Sequence, residues 1–485
     1  MLTRTFKFLR GVLVLAIVFA GALLALRAWD SQRGPPLEPW HTYVPTELHV
    51  DALAKADWAA YLRNEETVFR DVRREVVDKI APEAQVAGNR YYDRSPIFPG
   101  NFKHDFNRSY VLEPEGAPNG AVVLLHGLTD SPYSLRHVAR RYRDRGFVAV
   151  AIRLPGHGTV PAGLTDVEWE DWDAATRLAV REARRRVGAG KPLHIVGFSN
   201  GGALAMKYAL DALEKDTLAK PDRVILVSPM IGITSFARFA GFAALPAYLP
   251  RFAKAAWLGL LPEFNPFKYN SFPVNGAVQS HRLTEALQDQ VARLGREGRL
   301  KDLSPVLTFQ SVVDFTVSTP AVISRLYDHL PANGSELVLF DLNRVAIISP
   351  LLRNAAETVL TRILPAPPRA YRTSIITNAS PDRLDVVELS TEAGSTEERR
   401  RPLDLAFPRE FFSLSHVALP FPLSDSLYGL KPDASDEDFG VHLGELAPRG
   451  ERGVLIVPLD SLVRVSSNPF FAYLLDRIDE KIPGR

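Results

Sequence analysis

Five residues, Gly197-Phe198-Ser199-Asn200-Gly201, carry the strongest chemical signal in the chain. They directly follow a short apolar run at 193–196 and precede a helix-forming run at 202–213. A serine between two glycines at a strand-to-helix bend can hold strained backbone angles. The absent glycine side chains let neighbouring backbone come close, so the hydroxyl stands above the sheet. The chemistry this permits is nucleophilic attack on a carbonyl. A serine hydroxyl is weak until a base takes its proton, so an imidazole oriented by a carboxylate is required from elsewhere in the chain.

The carboxylate is expected in the loop after a later strand, and Asp314 fits. It closes the apolar run 306–313 and opens Asp314-Phe315-Thr316-Val317. Its competing role is to cap a helix starting near Thr319, and Asp341, after the next strand, is the reserve. Of the 11 histidines, only His416 and His442 lie beyond residue 345. His416 is preferred because Leu419-Pro420-Phe421-Pro422 follows it as an apolar, proline-stiffened loop that can hold an imidazole in place, whereas His442 sits in an acidic, glycine-containing context. A fourth element is His126-Gly127-Leu128 at the end of the run 121–125. Gly127 lets the chain turn so that the Leu128 amide, with the Asn200 amide, faces a carbonyl oxygen as an oxyanion hole. His126 is read as structural, as is the tight turn Pro155-Gly156-His157-Gly158.

These residues need a sheet whose strand ends converge. From about residue 108, apolar runs at 121–125, 148–152, 193–196, 224–227, 306–309 and 337–340 alternate with amphipathic stretches. Each run is too short for a helix core and too apolar for a half-exposed strand, so a mainly parallel sheet covered on both faces is expected. Leu135, Val138, Ala139 and Tyr142 recur at helical spacing between the first two runs, and Trp172, Thr176, Ala179 and Ala183 between the next two. Residues 230–304 show no strand pattern but many large apolar residues, among them Phe236, Phe239, Phe242, Tyr248, Trp257 and Phe267. A helical insertion able to shelter an apolar cavity is expected there. A second insertion, 345–408, holds strand-like 373–377 and 385–389, followed by a charged stretch around 394–401 that reads as a mobile loop.

At the other end, Arg4, Lys7 and Arg10 precede residues 11–26, which hold no charge. This is a basic flank before an apolar membrane segment, short for a span but sufficient if flanking residues snorkel. The positive flank places the N-terminus in the cytoplasm and residues from about 30 onward outside it, on the periplasmic side of a bacterial membrane. The alternative is a cleaved signal peptide with Ala20-Gly21-Ala22 as its site, and a secreted product. Gly34-Pro35-Pro36 then stiffens a linker, and residues 50–80 read as a charged helical lead-in without a strongly apolar face. The expected layout is an anchor or signal segment at 1–30, linker and lead-in at 31–107, and one catalytic domain at 108–485.

Composition narrows the partners. With 485 residues, 46% hydrophobic, 24% charged and a net charge of +2, the chain is globular and has no basic excess for nucleic acid. It contains no cysteine, which excludes disulfides, thiolate metal sites and a cysteine nucleophile. No metal-ligand cluster or phosphate loop stands out.

His126-Gly127-Leu128-Thr129-Asp130-Ser131-Pro132, Pro155-Gly156-His157-Gly158, Gly197-Phe198-Ser199-Asn200-Gly201-Gly202, Asp314 with Val317, and a late His416 together resemble the α/β-hydrolase superfamily. They are most similar to its bacterial carboxylesterase and monoacylglycerol lipase-like (serine aminopeptidase-type) members, over residues 108–345 plus the His416 loop. The resemblance implies an α/β-hydrolase fold with a helical cap over 230–304 and catalysis without a cofactor or metal. It also implies ester hydrolysis through an acyl-enzyme on Ser199, with an acyl substrate such as a monoacylglycerol or lysophospholipid. The stretch between Phe340 and His416 departs from the family in being much longer. Two other functions share the motifs: a serine peptidase or amidase on short peptides, and a catalytically silent, membrane-tethered binding module.

Overall fold

Whether an apolar run becomes a strand buried on both faces depends on helices arriving on both sides, and here they do. The computed structural model describes residues 2–232, 240–347, 359–446 and 462–482. Helix α1 (Leu2–Ser31) comes first, and α2 (Trp58–Glu75) follows in the lead-in. Strands β1 (Tyr110–Leu112) and β2 (Gly120–Leu125) precede α3 (Arg136–Asp144), β3 (Phe147–Ile152), α4 (Trp169–Val187) and β4 (Leu193–Phe198). Then come α5 (Asn200–Glu214), β5 (Arg223–Val227), α6 (Ala240–Ala244), a small antiparallel pair β6 (Trp257–Gly259) and β7 (Phe272–Pro273), and α7 (Val274–Arg296). The chain continues through β8 (Val306–Ser311), α8 (Thr319–Arg325), β9 (Glu336–Phe340), β10 (Arg372–Asn378), β11 (Asp385–Thr391), β12 (Glu398–Ala406) and α9 (Phe471–Asp479).

Ten strands form one sheet in the order β1-β3-β2-β4-β5-β8-β9-β10-β11-β12. The central strands β3 to β10 in that order pair in parallel, while the edge pairs β1–β3, β10–β11 and β11–β12 are antiparallel. This is the α/β-hydrolase fold, with the mainly parallel sheet read from the apolar runs. Alternate residues of each strand feed two cores. Ala121, Val123, Leu125, Val148, Val150 and Ile152 pack under α4, α5 and α7, and Val122, Leu124, Phe147, Ala149 and Ala151 pack under α3 and α9. Trp172 is fully buried and donates its indole N–H to the Pro155 carbonyl at 3.1 Å.

Four local expectations are corrected. Residues 398–401, expected in a mobile loop, begin β12, whose Arg401 pairs with the buried Glu388 on β11. Residues 257–259 and 272–273 form a strand pair inside a segment expected to be helical, beside the long α7. The edge strand β1, Tyr110–Leu112, is a strand not among the six apolar runs, being only three residues long. Finally, α2 does have a buried face, Trp58, Tyr61, Glu65, Val68 and Val72, and its periodicity is masked because one member is a carboxylate. Glu65 is inside because Arg153, fully buried at the end of β3, donates to it at 3.1 Å and to Glu47 through two bonds of 2.6 and 2.9 Å. Phe236 and Phe239 lie outside the described residues.

Beyond β12 the chain folds back over the sheet, and Asp425 holds it there. This carboxylate is fully buried, pairs with Arg136 on α3, and accepts from His137 at 2.9 Å, Tyr133 at 3.0 Å and the amides of Leu427 and Tyr428. Burial alone would raise its pKa, but Arg136 and His137 overcome that and hold it well below the usual carboxylate range. A depressed folded pKa contributes stability that is full above the unfolded value and is lost as pH falls toward the folded one. Asp425→Ala leaves the buried Arg136 only the more distant Asp436 at 3.5 Å, so urea unfolding at pH 7 should show a loss of about 3–5 kcal/mol. The gap between the two proteins should narrow as pH falls below about 4. A loss under about 1 kcal/mol would show that the cluster does not clamp this segment.

Candidate active site

Ser199 sits between the last residue of β4 and the first of α5 with φ 54° and ψ −115°, a left-handed conformation that costs a non-glycine residue on the order of 1–3 kcal/mol. The surroundings over-determine it. The Ser199 amide donates to Val227 on β5 at 3.1 Å, and its carbonyl accepts from Gly202 at 2.9 Å and Met230 at 2.9 Å. The flanking glycines are there for space. A Cβ on Gly197 would lie 2.2 Å from the Gly201 carbonyl oxygen, and one on Gly201 would lie 2.0 Å from that of Leu125. The turn after β2 also comes near, since a Cβ on Gly127 would meet the Ser199 Cβ at 3.3 Å.

Gly127 therefore leads its successor, Leu128, past the serine, and Thr129 takes a left-handed φ of 62° while its carbonyl accepts from the Tyr269 amide at 2.7 Å. Asn200 is the first residue of α5, a position whose amide has no acceptor within its own helix. His126 is buried, with Nε2 accepting from the Leu154 amide at 3.0 Å and Nδ1 donating to the Gly127 carbonyl at 2.9 Å. Burial first, then the neighbouring His157, lowers its pKa, so it is a neutral brace for the loop.

Asp314 and His416 meet directly: His416 Nδ1 donates to Asp314 Oδ2 at 2.9 Å, with both side chains buried. The other Asp314 oxygen accepts from the amides of Thr316 at 2.8 Å and Val317 at 3.0 Å. Burial pushes the Asp314 pKa up, but the imidazole and these amides together pull it below the ordinary value, so the group is an anion at neutral pH. The helix-capping role falls to Ser318, which accepts from the Ala321 amide. Asp341 is engaged by Arg344 at 2.5 Å and Thr377 at 2.8 Å, and His442 bonds the Ser426 carbonyl at 2.9 Å, so neither joins this pair.

The imidazole of His416 stacks on Phe198, the residue before Ser199, with ring centroids 5.2 Å apart. This places the Asp314–His416 pair beside the bend, with Nε2 left as the free acceptor. Among the described residues the Ser199 hydroxyl makes no hydrogen bond, a looseness common before substrate binds. Side chains not singled out from the sequence hold the arrangement. Gln310 donates to Asp314 at 3.2 Å, Ser415 caps the His416 turn and donates to the Arg464 carbonyl at 2.7 Å, and Asn343 donates to the carbonyls of Pro408 and Phe411 just upstream. Gln310 had a readable signal, as a polar residue directly after the run 306–309 and four residues before Asp314.

A model of the alpha/beta hydrolase family matches residues 122–377, and so covers β2 through most of β10. The thermostable monoacylglycerol lipase of Bacillus sp. (strain H-257) is 25% identical over 231 residues, 47% of this chain and 83% of that protein. Two solved structures are similar at lower identity. A soluble variant of monoglyceride lipase from Saccharomyces cerevisiae with a substrate analogue is 16% identical, covering 48% of this chain and 81% of that one with a TM-score of 0.37. Paleococcus ferrophilus monoacylglycerol lipase is 18% identical, covering 52% and 99% with a TM-score of 0.35. With more than half of its length matched, including the Gly197–Gly201 bend and Asp314, the chain belongs to the alpha/beta hydrolase family.

Proposed function

We propose that this protein is a serine hydrolase that cleaves carboxylic esters of lipid type, such as a monoacylglycerol or lysophospholipid, while held at a membrane by α1. The observation that carries the reading is the Asp314–His416 hydrogen bond beside the strained Ser199. Because Nδ1–H is committed to Asp314, His416 Nε2 takes the Ser199 proton as Oγ attacks the ester carbonyl, and the amides of Leu128 and Asn200 receive the oxyanion. The imidazolium then protonates the departing alcohol, leaving an acyl-enzyme. A water molecule, deprotonated by the same nitrogen, releases the acid and restores Ser199. Asp314, kept anionic, stabilises the imidazolium in both halves.

Lipid esters are favoured over small polar ones for two reasons. The segment between β5 and β8 is rich in large apolar residues, and the Bacillus relative is a monoacylglycerol lipase. Residues 9–31 are long and apolar enough to cross a membrane, and the most apolar 18-residue window within them has no buried residue. With Arg4, Lys7 and Arg10 before it, the segment orients with its start in the cytoplasm and the hydrolase body outside.

Ser199→Ala should abolish fluorophosphonate labelling and lower kcat on p-nitrophenyl esters by about 10⁶-fold. Undiminished turnover would remove Ser199 as nucleophile. Asp314→Asn keeps the shape but loses the charge and the correct tautomer, so kcat should fall about 10³–10⁴-fold with little change in KM. A variant within about tenfold of the parent would remove Asp314 from the reaction. A panel of esters of graded chain length beside aminoacyl amides separates the lipid-ester reading from a peptidase, which would prefer the amides.

A further inference from the structure

We infer that the α6–β6 surface, residues 240–262, docks into the headgroup zone of the bilayer that α1 crosses, so that the protein meets its membrane through a second contact beside the cap. The inference rests on α1 lying in the membrane.

That surface exposes large apolar side chains: Phe242 at 63%, Tyr248 at 86% and Leu249 at 60%, with Leu245 and Leu258 also exposed. A soluble surface rarely gathers such residues in one segment. Charge points the same way, because residues 240–262 contain Arg251 and Lys254 and no acidic residue. An apolar surface edged by cations suits the boundary between acyl chains and phosphate headgroups.

Continuity with α1 identifies the occupant. The end of α1 packs against α6 and the turns at Leu245–Tyr248 and Pro250–Ala256. Arg27 donates to the carbonyls of Trp257 at 2.5 Å and Ala255 at 3.4 Å, Gln32 donates to Arg251 at 2.9 Å, and Lys254 reaches the Gly34 carbonyl at 3.4 Å. Residues 11–26 rise only about 24 Å at 1.5 Å per residue, against about 30 Å of hydrocarbon. The level of Arg27 must then lie at or below the hydrocarbon edge, and whatever is bonded to Arg27 lies at the interface with it. Behind this surface, Gly241 of α6 faces Val278 of α7, and Gly276 in the first turn of α7 faces Leu128. The docked surface is thus two packed contacts from Leu128, whose neighbour Gly127 lies against Ser199.

The cysteine-free chain makes the test clean. Single variants Tyr248→Cys, Leu249→Cys, Leu15→Cys and Glu115→Cys in the full-length protein are labelled with an environment-sensitive fluorophore. They are then reconstituted in phosphatidylcholine vesicles containing a minor share of phosphatidylglycerol, with and without brominated acyl chains. Labels at 15, 248 and 249 should emit in the blue and be quenched about twofold or more by bromolipid, while the label at 115 should stay water-like. Quenching at 15 with 248 and 249 matching 115 would overturn the docking and leave the anchor standing. No quenching at 15 would overturn both, and neither result bears on Ser199, since no activity is read.

Discussion

The backbone at Ser199 is the constraint around which the rest is arranged. A left-handed serine is unfavourable in isolation, and it persists because three chain segments close on it, two of them at distances that admit no side chain. Gly201 fits under the end of β2, Gly197 under Gly201 itself, and Gly127 against the serine Cβ. Parallel pairing of β4 with β2 on one side and β5 on the other sets those distances, because register fixes where each strand ends. The amide bond from Ser199 to Val227 and the accepted bond from Met230 then tie the bend to β5 as firmly as to its own helix. The bend is a property of three strands, and a change in any of them would reach the hydroxyl.

Asp314 and His416 come from much further along the chain, and the fold brings them together from the other edge. After β9, three more strands extend the sheet before the chain returns, and Asn343, in the loop after β9, grips the returning segment through the carbonyls of Pro408 and Phe411. That grip lets an imidazole 102 positions from Asp314 arrive at 2.9 Å. Electrostatics fixes it there. A buried carboxylate would normally resist ionisation, but two backbone amides and the imidazole reverse the balance, so the attraction between Asp314 and His416 is felt in a site largely sheltered from water.

What was legible in the sequence divides along physical lines. Strands buried on both faces announce themselves as short apolar runs, and β2, β3, β4, β5, β8 and β9 lie within a residue or two of the runs that marked them. The bend was legible because the glycine spacing is itself the steric requirement. Where polarity has a partner distant in sequence, the pattern fails. Strand β12 reads as a charged loop because its Arg401 answers Glu388 across the edge, and α2 reads as solvated because Glu65 answers Arg153. Asn343 acts through hydrogen bonds to carbonyls that only the fold brings near, whereas Gln310 reaches Asp314 only four residues on.

The Arg153 cluster has a consequence for the N-terminal third of the chain. Glu47 and Glu65 come from the segment between α1 and the first strand, yet they enclose a fully buried guanidinium at the end of β3, and Glu47 also accepts from the Gly156 amide at 3.0 Å. Arg153 in turn donates to the His157 carbonyl at 3.0 Å, and the His157 ring packs on His126, the brace of the loop beside Ser199. A buried ion cluster of this kind adds little net stability compared with apolar packing, but losing one partner is costly because the remaining charge stays buried. The lead-in therefore cannot lift away from the sheet without stranding Arg153. Since the same lead-in continues from α1, whose end is bonded to the segment after α6, the N-terminal helix is coupled to the hydrolase body at two separate places. A flexible linker would leave the body free to tumble relative to α1, whereas these contacts fix which face of the body lies next to it.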